Sequence, residues 1–78
     1  MIVKVKLYTI LKKYGKGKVN KDNYVRLARS ETIHGLITYL GIPEKTGKVY
    51  LVNGIPRKGQ YKLSEGDEVK ILAFIGGG

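Results

Sequence analysis

The residues best placed to do chemistry are the last ones. Gly76-Gly77-Gly78 follow directly on the apolar run Ile71-Leu72-Ala73-Phe74-Ile75, with no polar spacer between them. Glycine-rich ends are also common in termini that merely fray, but here the glycines continue what reads as a strand. Glycine carries no side chain and reaches backbone angles closed to other residues. The three therefore read as a thin lead, Gly76 and Gly77, to one reactive group, the carboxylate of Gly78. Other sources of chemistry are sparse. The chain has no cysteine, which excludes disulfides, thiolate metal sites and a cysteine nucleophile. Its one histidine, His34, cannot form a histidine metal site by itself, and the spacing of Ser30, His34 and Asp22 does not suggest a catalytic set. A chain of 78 residues is one small domain that buries only about two-thirds of its unfolded surface, too little for a large cleft. Neither a conventional enzyme nor a metal site is expected.

The elements that must position this end come next. Residues 2–9 alternate in the period of a strand, with Val3, Val5 and Leu7 toward a core and Lys4, Lys6 and Tyr8 toward solvent. Residues 10–21 read as a short helical piece over Ile10 to Tyr14 and then a loop over Gly15 to Lys18. Residues 23–29 alternate again, with Val25 and Leu27 inward, so the first two strands are expected to form a hairpin. Thr32 is a candidate N-cap for a helix whose Ile33, Leu36, Ile37 and Leu40 form one apolar stripe. Gly41 and Pro43 end it. Gly35, inside this helix, costs about 1 kcal/mol relative to alanine; it either marks a close helix–sheet contact or has no structural meaning. Lys48 to Val52 reads as a strand, Asn53-Gly54 as a tight hairpin turn, and Ile55-Pro56 as a brief edge strand. Tyr61 and Leu63 are packing residues in an irregular stretch. Gly66-Asp67 turns the chain into a last strand, Glu68 to Phe74. A sheet with one helix across one face satisfies every apolar stripe.

Charge adds a second theme. The net charge is +9, and residues 1–29 hold nine basic side chains against Asp22 alone, a balance of +8. Such asymmetry suggests attraction to an acidic partner or to nucleic acid. The plainer reading is a solvated lysine surface, and the tyrosines scattered among the lysines, which could stack on bases, are equally normal strand residues. Nucleic-acid contact is thus the lesser expectation. The longest apolar run, Ile71 to Ile75, is far below the ~18 residues of a membrane span, and the amino-terminal stretch lacks a signal-peptide core. A cytoplasmic protein is expected.

These residues, in this order, resemble the ubiquitin-like sulfur carriers of the MoaD/ThiS family over essentially the whole chain. Val5 to Tyr14 is similar to the opening of MoaD-type members. Thr32 to Ile42 resembles the family helix with its glycine stop, and Val52-Asn53-Gly54 its Val-Asn-Gly turn. Leu63-Ser64-Glu65-Gly66-Asp67-Glu68-Val69-Lys70-Ile71 resembles its Leu-x-x-Gly-Asp-x-Val-x-Ile stretch, and Gly77-Gly78 its end. MoaD-type members usually approach that end through Pro-Pro; the aromatic-then-triple-glycine approach here is more similar to ThiS.

The resemblance implies an α+β, ubiquitin-like β-grasp fold: a mixed four- to five-stranded sheet with one main helix over residues 1–75, and a glycine tail over 76–78. It implies a protein co-substrate rather than an enzyme, in the manner of a free carrier or of the small subunit of a molybdopterin-synthase-like complex. A ubiquitin-activating-type enzyme (MoeB/ThiF-like) would use ATP to adenylate the Gly78 carboxylate. Sulfur would then replace AMP, and the thiocarboxylate would serve a sulfur-accepting synthase in molybdopterin or thiamine thiazole biosynthesis. No cofactor is bound permanently. Gly76 and Gly77 would thread the enzyme's channel, where any side chain would obstruct. Leu72, Phe74 and Ile75 would present the apolar surface that the enzyme grips, ordinary packing at the sheet margin being the competing reading. Two other readings stand beside the carrier: a ubiquitin-like modifier joined to proteins through Gly78, and a small basic nucleic-acid-binding module on the same scaffold.

Overall fold

The computed structural model describes residues 1–74. Five strands form one mixed sheet: β1 (Ile2–Leu7), β2 (Tyr24–Arg26), β3 (Lys48–Val52), β4 (Ile55–Arg57) and β5 (Glu68–Ala73), in the order β2-β1-β5-β3-β4. The two ends of the described chain lie side by side at its centre, where β1 and β5 pair in parallel from Lys4↔Glu68 to Leu7↔Ile71. The expected first hairpin is present, β1 antiparallel to β2 with Val3 opposite Val25. Its second strand is shorter than the alternation over 23–29 suggested, because Asn23 adopts a positive φ (70°) just before it and the ladder ends at Ile2↔Arg26, with the first residue of β1. Leu27 still reaches back, its N–H donating to the Met1 carbonyl.

One face of the sheet carries the core. Val3, Val5, Val25, Val52, Val69 and Ile71 point to it, and the helix α1 (Ile33–Leu40) closes it with Ile33, Leu36, Ile37 and Leu40. The helix begins where its cap dictates: Thr32 Oγ1 accepts from the Gly35 N–H at 3.1 Å, satisfying one of the first-turn amides that have no partner within the helix. It ends at Gly41, whose φ of 77° is the left-handed conformation a C-cap requires. Between β1 and β2 a 3₁₀ helix (Thr9–Gly15) seals one end of the core with Leu11, which is fully buried.

Gly35 does not mark a helix–sheet contact. A Cβ there would enter the space held by the Glu31 carboxylate, which folds over the start of α1 and accepts from the Thr32 N–H. An anion at that end of a helix meets the positive pole of its dipole.

Two stretches that looked independent in the sequence form one hydrogen-bonded unit. Asn53 and Gly54, both at positive φ (52° and 84°), make the turn between β3 and β4. Asn53 Nδ2 donates to Asp67 Oδ1 at 2.9 Å, while the Glu68 N–H donates to Asn53 Oδ1 at 3.0 Å. The other oxygen of Asp67 accepts from the Ser64 N–H at 2.8 Å, and its carbonyl accepts from the Lys4 N–H. Asp67 is the buried acid of the described chain, 8% exposed. Its carboxylate ties the Asn-Gly turn to the Ser64–Asp67 turn, and its backbone ties both to β1, fixing where β5 starts.

Candidate functional site

The position at which β5 starts also fixes where it delivers its last residues. Strand alternation sends Val69 and Ile71 into the core, both fully buried, and Leu72 and Phe74 the other way. Leu72 lies opposite Val49 of β3 in the antiparallel register, so their side chains share the outer face. Val49 is 40% exposed and Phe74 59% exposed; Leu72 is half-buried. The regular strand stops at Ala73, one residue before the expected end, yet the Phe74 N–H still donates to the Gly47 carbonyl at 3.0 Å. The Phe74 ring lies against Gly47: a Cβ at residue 47 would stand 2.8 Å from its Cδ2. Gly47 thus seats the last described aromatic side chain of β5.

The loop before β3 is held by a single ammonium. Lys48 Nζ donates to the carbonyl oxygens of Thr46 at 2.6 Å and Pro43 at 3.1 Å, with Glu44 at 3.4 Å. This places Gly47 under the ring. Beyond the apolar corner of Leu72, Val49 and Phe74, the middle of the same face is charged. Lys4, Lys6, Lys70 and Glu68 lie there by register, with Lys6 Nζ 3.5 Å from a Glu68 oxygen.

Of the residues singled out in the sequence, the structure brings Leu72 and Phe74 to this corner together. Ile75, Gly76, Gly77 and Gly78 lie outside the described residues. Val49 and Gly47 were missed. Val49 could have been found by extending the alternation of β3 outward from buried Val52; Gly47 had no local signal, because its neighbour is 27 positions away. His34 is exposed and its Nε2 stands 3.1 Å from Glu44 Oε1, with neither Ser30 nor Asp22 among its hydrogen-bond partners. Among the described residues no group of three or more His, Asp or Glu side chains could hold a metal ion, and no helix is long and apolar enough to cross a membrane. The buried share of Tyr50, with the Glu44 carboxylate adding a smaller repulsion, pushes its phenol above the ordinary 10.0.

A central parallel pair, hairpins on both sides and one helix across one face define the ubiquitin-like β-grasp architecture. The chain belongs to the ThiS family, whose sequence profile matches residues 6–78; members are non-catalytic carriers. The same fold is found in the crystal structure of SAMP1 from Haloferax volcanii, at a TM-score of 0.68 and 16% identity over 100% of both chains. It recurs in a putative molybdopterin converting factor, subunit 1, from Pyrococcus furiosus, at a TM-score of 0.73 and 17% identity, covering 96% of this chain and 99% of that one. No curated protein sequence matches significantly.

Proposed function

We propose that this protein is a sulfur carrier that works through the carboxylate of Gly78. The observation that carries the reading is the family match, which runs from β1 through residue 78 and so includes the glycines. A partner of the ubiquitin-activating type (MoeB/ThiF-like) binds ATP. The Gly78 carboxylate attacks the α-phosphorus, pyrophosphate leaves, and the acyl-adenylate forms. A sulfide-equivalent nucleophile then displaces AMP and leaves a thiocarboxylate, which a synthase accepts as its sulfur source. The chain supplies no catalytic side chain: adenylation itself converts an inert carboxylate into an electrophile. Gly76 and Gly77 supply a lead thin enough to enter a closed nucleotide site. The corner formed by Leu72, Val49 and Phe74 is the surface the activating enzyme holds, since exposed apolar groups clustered in this way mark interfaces.

The test is a mass measurement. The chain, produced with its native end alongside its activating partner and ATP, gains the mass of one sulfur in place of one oxygen. Deleting Gly77 and Gly78 abolishes the gain. If the truncated chain still supports sulfur transfer, the reading is wrong. A second reading, a protein modifier, uses the same activated Gly78 but ends in an isopeptide bond. It is kept because the fold likeness is as complete to SAMP1 as to the molybdopterin converting factor subunit. Higher-mass conjugates containing this chain would select it.

A further inference from the structure

Three of the seven lysines in residues 1–29 line one groove. Beside β1, between the 3₁₀ helix and the loop leading to β2, lies a depression of about 320 Å³ whose lining includes Lys12, Lys16 and Lys21. No carboxylate lines it among the described residues; Asp22, the one acid of this half, is absent from its walls. Nor are these lysines neutralised from elsewhere. Of the nine basic side chains in residues 1–29, Lys6 is the one with a carboxylate within ion-pair distance among the described residues.

The groove also offers neutral donors. The β1–β2 ladder reaches Lys4↔Tyr24, and the Val5 N–H adds one more bond, to the Asn23 carbonyl at 2.7 Å. There β2 leaves. Alternation turns the N–H of Leu7, which lines the groove, to this same edge, where no strand lies opposite. Asn20, also on the wall, commits its Oδ1 to the N–H groups of Asp22 and Tyr24 at 2.9 and 2.8 Å. Its Nδ2 has no hydrogen-bond partner among the described residues.

We infer that this groove docks the phosphate backbone of a nucleic acid. Three ammonium groups, a side-chain amide and an open strand edge are the donor types that hold phosphate oxygens, with lysine acting as a point charge. A protein partner fits less well. Protein interfaces deplete lysine and centre on aromatic and apolar anchors, and the Leu72–Phe74 corner is a surface of that kind. Base stacking is not part of the proposal. No aromatic side chain lines the groove among the described residues, so contact is to the backbone and indifferent to sequence.

The experiment is a titration of a fluorescein-labelled single-stranded RNA 20-mer with the full chain at several salt concentrations, read by anisotropy. Releasing three counterions from a single strand contributes about 2 to the slope of log K against log salt. The triple variant Lys12→Gln, Lys16→Gln, Lys21→Gln should lose that much slope and on the order of 100-fold in affinity at ~0.1 M salt. A control removing the same charge elsewhere, Lys45→Gln, Lys58→Gln, Lys62→Gln, should keep most of the affinity. In the unmodified chain, RNA should move the amide resonances of Leu7 and of residues 15–23. Deleting Gly77 and Gly78 should leave the affinity unchanged, so failure here and failure of the carrier reading are separable. The inference is overturned if the control loses as much as the groove variant, if the resonance changes lie elsewhere, or if polyglutamate of equal charge competes as well as unlabelled RNA. That last outcome would assign the groove to an acidic protein.

Discussion

Replacing Asp67 tests the idea that two family motifs are one structural unit. Its carboxylate accepts from Asn53 Nδ2 at 2.9 Å and from the Ser64 N–H at 2.8 Å, at a site 8% exposed. A hydrogen bond to a charged acceptor contributes about 1.5–3 kcal/mol, and a buried donor left without a partner costs about as much. Asp67→Asn keeps the shape but offers one carbonyl to two donors, so one bond is lost and an N–H faces an NH₂. About 2 kcal/mol should go. Asp67→Ala strands both donors and should cost about 3 kcal/mol, with partial rescue by water. For a domain of this size each kcal/mol is about 4–8 °C in Tm, so Asp67→Asn should melt roughly 8–16 °C lower. Thermal and urea unfolding followed by circular dichroism measure this directly. Asn53→Ala should cost less in the Asp67→Ala background than in the wild type, because both changes remove the bond from Asn53 Nδ2 to Asp67. The reasoning is refuted if Asp67→Asn lies within about 0.5 kcal/mol of the wild type, the range of an ordinary surface substitution.

Two further outcomes follow from the same reading. Gly35→Ala gains about 1 kcal/mol of helix propensity but displaces the Glu31 carboxylate from the start of α1, a contact of about 0.3–1 kcal/mol. Unfolding at low salt should therefore show a larger gain from Gly35→Ala in a Glu31→Ala background than in the wild type; equal gains would dismiss the contact. Tyr50, raised above 10.0 chiefly by burial and then by Glu44, holds its proton longer in the folded state than in the unfolded one. Its share of stability is complete below pH 10 and is lost as pH climbs toward the folded pKa, since there the unfolded state binds fewer protons. Tyr50→Phe should unfold less steeply in that alkaline window than the wild type, and identical slopes would refute the assignment.

Strand and helix were legible wherever a local rule sufficed. The alternation of Val3 and Val5, the stripe of Ile33, Leu36, Ile37 and Leu40, the Thr32 cap and the positive-φ pair Asn53-Gly54 each depend on residues within a turn or two of one another, and each matches the structure. What escaped depends on residues distant in the chain. The bond from Asn53 to Asp67 spans 14 positions. The seat that Gly47 gives Phe74 likewise joins residues far apart in the chain. Gly35 is the exception, since Glu31 is one helical turn away but no periodicity aims its carboxylate there. The lysines were visible as a count, but periodicity could not show that three of them face one groove.

This division bears on function in an asymmetric way. A carrier's reactive group is a main-chain carboxylate on a side-chain-free lead, so the positions carrying the chemistry are named by their residue type and can be proposed from the sequence. Partner choice is different. It depends on which apolar and charged side chains the fold gathers at one surface, a part proposed here for Leu72 with Val49 and Phe74 at one corner and for Lys12 with Lys16 and Lys21 at one groove. Two β-grasp carriers could therefore share every glycine and serve different acceptors. On this reading, variants at the Leu72, Val49 and Phe74 corner should slow the loading of Gly78 by its activating enzyme. Lys12→Gln, Lys16→Gln, Lys21→Gln should instead leave loading unchanged and weaken nucleic-acid binding alone. Equal loading of both variants would remove the corner from the activating enzyme's grip.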